Sequence, residues 1–151
     1  MKGKKTASRR NRRTEALADS LSDILAPLLE AALIQGKPAD RVLRSLLRRR
    51  TGLGPRDRRL VAQTAFSLFR WWGWLRELAP ETLRAGQNLA TETKTLSPGK
   101  TFADAAERRR WSALLFAAQF MEWDRPPPTA RILAHHAGAA PNRADRLWHP
   151  A

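Results

Sequence analysis

Cysteine is absent from this chain of 151 residues. That excludes disulfides, thiolate metal ligands and thiolate nucleophiles, and leaves no redox argument to make. Long apolar runs are missing too. None approaches the roughly 18 residues needed to cross a bilayer. The basic N-terminus leads into a stretch broken by Asp19, Asp23 and Glu30, which no signal peptide carries. No β-rich run precedes a glycine cluster, so the strand, glycine-rich turn and helix that cradle a nucleotide cofactor have no counterpart. There is no internal repeat. Acidic residues are scarce, 14 against 28 lysines and arginines, for a formal net charge of +14.

What is present follows from that imbalance. A sequence pI near 11.7 points to a polyanionic partner. The length suits a single domain, and a chain of this size buries roughly 68–70% of its unfolded surface, enough for a helical core without metals or disulfides. A cytoplasmic location and no membrane partner are expected. Basic helices also bind anionic lipid surfaces, but arginines clustered beside a turn suit phosphate at least as well.

Charge and hydropathy divide the chain into three parts. Residues 1–13 hold Lys2, Lys4, Lys5, Arg9, Arg10, Arg12 and Arg13, no acid and almost nothing apolar. Such a run cannot offset its ordering entropy by burial, which predicts a disordered basic arm. The arm supplies either loose phosphate contacts or solubility alone. Residues 14–137 are expected to form the folded helical domain, and residues 138–151 a flexible tail. Between Thr14 and Gln35, Leu17, Leu21, Ile24, Leu25, Leu28, Leu29, Ala32 and Leu33 form one helical stripe. Pro27 inside it predicts a kink or a short break.

A helix beginning near Pro38 comes next. In it Val42, Leu43, Leu46 and Leu47 repeat at helical spacing, while Arg41, Arg44, Arg48 and Arg49 lie between them. Gly52 and Gly54 end it. Pro55 suits the first position of another helix, where its missing N–H is not needed. Asp57 in that helix's first turn complements the exposed N–H groups and the positive end of the dipole, and is expected to hold the turn. Leu60, Val61, Thr64, Ala65, Leu68 and Trp72 line one side, which assigns Trp72 to the core. Packing is the simpler reading of Trp71 as well, and Trp74 is left open.

Residues 86–101 read as a long polar loop with a turn at Ser97-Pro98-Gly99. A helix is predicted from about Asp104 to Glu122, with Trp111, Leu114, Leu115, Ala118 and Met121 recurring inward and Phe116 and Phe120 widening the face. Arg108, Arg109 and Arg110 form a second basic cluster at its start, for which a solvated surface is the simpler account. Pro126, Pro127 and Pro128 end this helix, and Thr129 can cap a short one through about His136. Adjacent His135 and His136 point to different sides of a helix, so no metal site is expected. No serine or carboxylate pair stands in a context that suggests a triad or a dyad.

Three groups of residues carry a family resemblance: Gly36-Lys37-Pro38-Ala39-Asp40, Leu53-Gly54-Pro55-Arg56-Asp57-Arg58-Arg59, and Phe69-Arg70-Trp71. In this order and spacing the chain, from roughly Ala16 to Leu78, resembles the NusB-like RNA-binding domain at the front of bacterial small-subunit rRNA 5-methylcytosine methyltransferases, the Sun or Fmu group. The resemblance implies an all-α, NusB-like bundle of five to seven helices that binds rRNA and helps to place a catalytic domain. It does not transfer catalysis. The family's chemistry uses a cysteine thiolate to attack the ring, and this chain has none. No enzyme activity and no cofactor are therefore expected of this chain, read as either a truncated or a stand-alone version.

Arg56, Arg58 and Arg59 are the first choice for RNA phosphate contact, since they radiate from a helix start whose N–H groups also favour anions. Arg48, Arg49 and Arg50 extend that surface. Lys4, Lys5, Arg9, Arg10, Arg12 and Arg13 add looser contacts, while Gly54, Asp57 and Trp72 are structural. Two alternatives stand beside this reading. One is a free-standing NusB-type antitermination module that joins RNA to a ribosomal protein, or a domain that works with a separate methyltransferase domain. The other is a helix-turn-helix pair on duplex DNA.

Overall fold

The structure, a computed structural model, describes residues 2–80, 83 and 105–138, with side chains from Ser8 onward. The expected 86–101 loop and all of the expected tail beyond Gly138 lie outside the described residues. Among those residues the chain forms six α-helices and no strand. They are α1 (Lys2–Leu29), α2 (Ala39–Arg48), α3 (Pro55–Arg70), α4 (Trp72–Leu75), α5 (Ala105–Glu122) and α6 (Pro128–His136). This is the all-α bundle of five to seven helices that the apolar periodicities predict.

α1 lies at the centre. Leu21, Ile24, Leu25, Leu28 and Leu29 are each at most 1% exposed, and α2, α3, α5 and α6 all pack against this helix. The helix is not broken at Pro27. It runs on to Leu29, and the kink expected at the proline gives way to a π-helical turn over Glu30–Ile34. There the Gln35 N–H donates to the Glu30 carbonyl, five residues back, at 3.3 Å. The wider turn rotates the apolar stripe, so that Ala31 is buried and Ala32 and Leu33 are only half-buried. Gly36 then takes a left-handed φ of +65°. That conformation lets the Lys37 N–H close back onto the Ala31 carbonyl at 2.9 Å, a Schellman-type stop for which glycine is the natural residue.

The front of α1 corrects one expectation. Residues 2–13, predicted as a disordered arm, continue the helix without interruption, and Ser8–Arg13 project into solvent. The entropy argument holds for an isolated segment, which must nucleate its own helix. Here the nucleus is already anchored by the buried part of α1, and each further residue adds a hydrogen bond at propagation cost only. The Thr14 hydroxyl adds a 2.9 Å bond to the Arg10 carbonyl within this stretch.

α3, α5 and α6 meet in a layer that contains buried polar groups as well as leucines. Thr129 Oγ1 donates to Gln119 Oε1 at 3.1 Å, Gln119 Nε2 donates to Thr64 Oγ1 at 3.3 Å, and Thr64 Oγ1 donates to the Leu60 carbonyl at 2.8 Å. Ser67 Oγ donates to the Ala118 carbonyl at 2.7 Å. Thr129 therefore does not cap α6, whose N-cap is Pro127. It ties α6 to α5 instead. Trp111, Leu114, Leu115 and Ala118 are buried as the spacing predicts, whereas Met121 and Phe120 are each 38% exposed at the end of α5.

Because Gln119 satisfies hydroxyls on two other helices, Gln119→Ala should leave a cavity and unpaired groups. The expected loss is about 2–4 kcal/mol of unfolding free energy. Urea unfolding followed by circular dichroism measures it. A loss below about 0.5 kcal/mol, the scale of a neutral surface change, would show that the network does not hold the three helices together.

Candidate nucleic-acid interface

The basic residues around the α2–α3 turn do not act alike. α2 ends at Arg48 with Arg49 as its C-cap, and the chain turns through Gly54 into the Pro55 start of α3. Arg58 reaches back from the first turn of α3 across this connection. Its Nε donates to the Leu53 carbonyl at 3.0 Å, Nη1 to the Leu47 carbonyl at 3.0 Å and Nη2 to the Arg50 carbonyl at 2.9 Å. One guanidinium thus ties together three carbonyls of the α2 end and the turn, and those of Leu47 and Arg50 also accept backbone N–H groups. Arg58, expected to contact RNA phosphate, is seen closing the turn, with each of its three nitrogens donating one hydrogen bond.

The turn's glycines contribute less than the sequence suggests. Gly54 has a φ of −73°, and a Cβ placed on it meets nothing within 4 Å. Its special role as a structural glycine is not required by conformation. Asp57 makes no capping hydrogen bond with its side chain. It faces Arg13 of α1 at 3.8 Å, a largely solvated pair of small energetic weight. Arg50 similarly lies 3.8 Å from Asp23.

These pairs show what folding brings together. Arg13, Ser20, Arg49, Arg50 and Asp57 line one open cleft of about 360 Å³ between α1 and the turn. The basic run of α1 and the basic end of α2, separated by more than thirty residues in sequence, share this rim. Arg48 and Arg49 are exposed, as are Arg9, Arg10 and Arg12 along α1. Lys4 and Lys5 belong to the same helix, but their side chains lie outside the described residues. Arg56 and Arg59 are exposed one turn apart on α3.

Two further arginines are partnered across helices. Arg70 pairs with Glu122 through contacts of 2.9 and 3.2 Å. Arg108 pairs with Asp19 of α1 at 3.1 Å, so the second basic cluster is partly consumed in attaching α5 to α1. Trp71 and Trp72 are both half-buried against the core, and the Trp71 Nε1 is buried with no hydrogen-bond partner. Trp72 is accordingly less enclosed than its place on the stripe predicts, because α3 ends at Arg70 and the chain changes direction there. Trp74 is 77% exposed.

One exposed aromatic escaped the sequence reading. Phe66 is 57% exposed in the middle of α3. The signal for it was available as the complement of the core stripe, since positions 56, 59, 63, 66 and 70 follow the same three-and-four spacing on the opposite face. Among the described residues no group of three or more histidines, aspartates or glutamates is placed to hold a metal ion. No described helix is long and apolar enough to cross a membrane. The chain matches no protein-family profile, no curated protein and no solved structure.

Arg58→Ala should destabilise the fold by about 1.5–3 kcal/mol, the scale of hydrogen bonds made by a charged group. Arg58→Lys should recover little, since an ammonium lacks the fork that reaches three separated carbonyls. Arg56→Ala and Arg59→Ala should each stay within about 0.5 kcal/mol of the parent. Thermal and urea unfolding of the four variants checks this ordering, and equal stability of all four would remove Arg58 from its structural role.

Proposed function

We propose that this chain is an RNA-binding helical domain of the kind that delivers a small-subunit rRNA cytosine-C5 methyltransferase to its substrate. The observation that carries the proposal is the cleft between α1 and the α2–α3 turn. Its rim gathers Arg13, Arg49 and Arg50 from two distant basic runs, of which Arg48, Arg9, Arg10 and Arg12 are also exposed. Guanidiniums arranged around an open cleft suit phosphates, which position a nucleic acid without reading its sequence. The resemblance of residues 16–78 to the NusB-like targeting domain supports RNA over other polyanions.

The role proposed is binding. Phosphate contacts from α1 come from a helix, so they have a fixed spacing of ~1.5 Å rise per residue rather than the loose reach of a tail. Arg48 and Arg49 then set the position of the bound strand against the turn that Arg58 closes. The catalytic step of the resembling family belongs to a cysteine-bearing domain, with which this domain would cooperate.

Equilibrium binding to a structured rRNA fragment and to a DNA duplex of equal length, each across a salt series, tests the proposal. The full chain should bind the RNA more tightly. Arg48→Ala combined with Arg49→Ala should weaken RNA binding without loss of fold. It should also flatten the log–log salt slope by roughly 0.7–0.9 for each phosphate contact removed. Deletion of residues 1–13 should flatten it further and leave a preference for RNA. Tighter binding to the DNA duplex, or an unchanged affinity in the double variant, would sink this reading.

A further inference from the structure

α3 presents a second surface that the cleft does not use. Its exposed positions after the opening proline are Arg56, Arg59, Gln63, Phe66 and Arg70, a single stripe along the outer side of the helix. None of them is acidic. The one acid of α3, Asp57, faces Arg13 on α1. Arg56 and Arg59 have no acidic partner among the described residues, while Arg70 is held by Glu122. Just past the end of the helix, Trp74 is 77% exposed.

The two aromatics are not explained by the fold. Phe69, Trp71 and Trp72, their neighbours in sequence, pack against the core. Phe66 and Trp74 leave most of their surface to water at 57% and 77% exposure. Along the exposed stripe, Phe66 has Gln63 one turn before it and Arg70 one turn after it. Exposed rings on a positively charged track are what a flexible single strand uses, because every base has a face to stack and every linkage has a phosphate.

We infer that Arg56, Arg59, Gln63, Phe66 and Arg70 of α3, together with Trp74, form a stacking platform for an unpaired RNA segment, distinct from the phosphate-binding cleft. The inference rests on the RNA reading above and adds the class of RNA that this face takes. Arg56 and Arg59 start the track beside the cleft, next to Asp57, which lines that cleft. The distance from Arg56 to Phe66 along the helix is ~15 Å at 1.5 Å per residue. An RNA whose structured part rests against the cleft can therefore run an unpaired end along α3, with its phosphates at Arg56 and Arg59 and a base on Phe66. Gln63 offers both a donor and an acceptor to a base edge between them.

The test compares a labelled short oligouridylate with an RNA duplex of the same length, using the full chain and its Phe66→Ala, Trp74→Ala and Trp74→Phe variants. Both alanine variants should fold as the parent does, since both rings are largely exposed. Each should bind the oligouridylate roughly 5- to 150-fold more weakly, the range of a lost base–aromatic stack, with no change on the duplex. Trp74→Phe should restore most of the affinity. Unchanged oligouridylate binding in both alanine variants, or an equal loss on the duplex, would overturn the platform. If Arg48→Ala with Arg49→Ala still weakens RNA binding while the aromatic variants behave as the parent, the platform alone falls and the cleft stands. If the parent chain binds neither RNA at low salt, both fall. Self-association abolished by Trp74→Ala, with RNA affinity unaltered, would mark the ring as a protein contact and also overturn the platform.

Discussion

Burial of the leucine ridge of α1 is the constraint on which the other elements depend. Leu21, Ile24, Leu25, Leu28 and Leu29 are each at most 1% exposed, and burying such a side chain contributes about 1.5–3 kcal/mol. Five of them outweigh the roughly 3 kcal/mol that a proline inside a helix costs, which is why α1 continues past Pro27 to Leu29. The same ridge decides the ion pairs. Asp19 and Asp23 flank it on the solvent side, and they meet Arg108 of α5 and Arg50 of the turn. Those contacts are solvated and of small weight by themselves. They record where the ridge has already drawn the neighbouring helices.

The net charge of +14 is divided by the fold into cations that are used internally and cations that are offered outward. Arg58 is used internally, with three carbonyls bonded to one half-buried guanidinium. Arg70 and Arg108 each join two helices through a carboxylate. Arg48, Arg49, Arg56 and Arg59 remain exposed, on a turn made rigid by Arg58. An arginine spent on the turn and an arginine displayed by it are different parts of one device, two residues apart in the case of Arg56 and Arg58.

Much of the helical layout was legible from spacing and punctuation. Pro55 begins α3, the periodic run to Glu122 is α5, and the triple proline separates it from a helix ending at His136. The buried faces of α3 and α5 also follow the pattern at Val61, Ala65, Leu68, Trp111, Leu114 and Leu115. The misses have specific causes. The π-helical turn at Glu30–Ile34 adds a residue to one turn and moves burial from Ala32 to Ala31, which no fixed period can represent. Residues 2–13 have the composition of a disordered arm, yet they inherit helix from a nucleus further along the chain. The candidate interface was half legible: the two basic runs were visible, but their meeting across one cleft was not.

The sequence by itself determined an all-helical chain, the approximate limits of its helices, most of the leucines in its core and a strong excess of positive charge. Each of these depends on local periodicity, on proline and glycine, or on a simple sum of charges. Only the tertiary structure decided which arginines are free, that Gln119 links Thr64 to Thr129, and that Phe66 and Trp74 face water while Trp71 and Trp72 pack inward. The physical reason is that these outcomes depend on partners far away in the chain. Ser67 bonds to a carbonyl 51 residues distant and Arg108 to a carboxylate 89 residues distant. A side chain's role there is set by what packing brings within about 3 Å of it, and nothing in its immediate sequence records that.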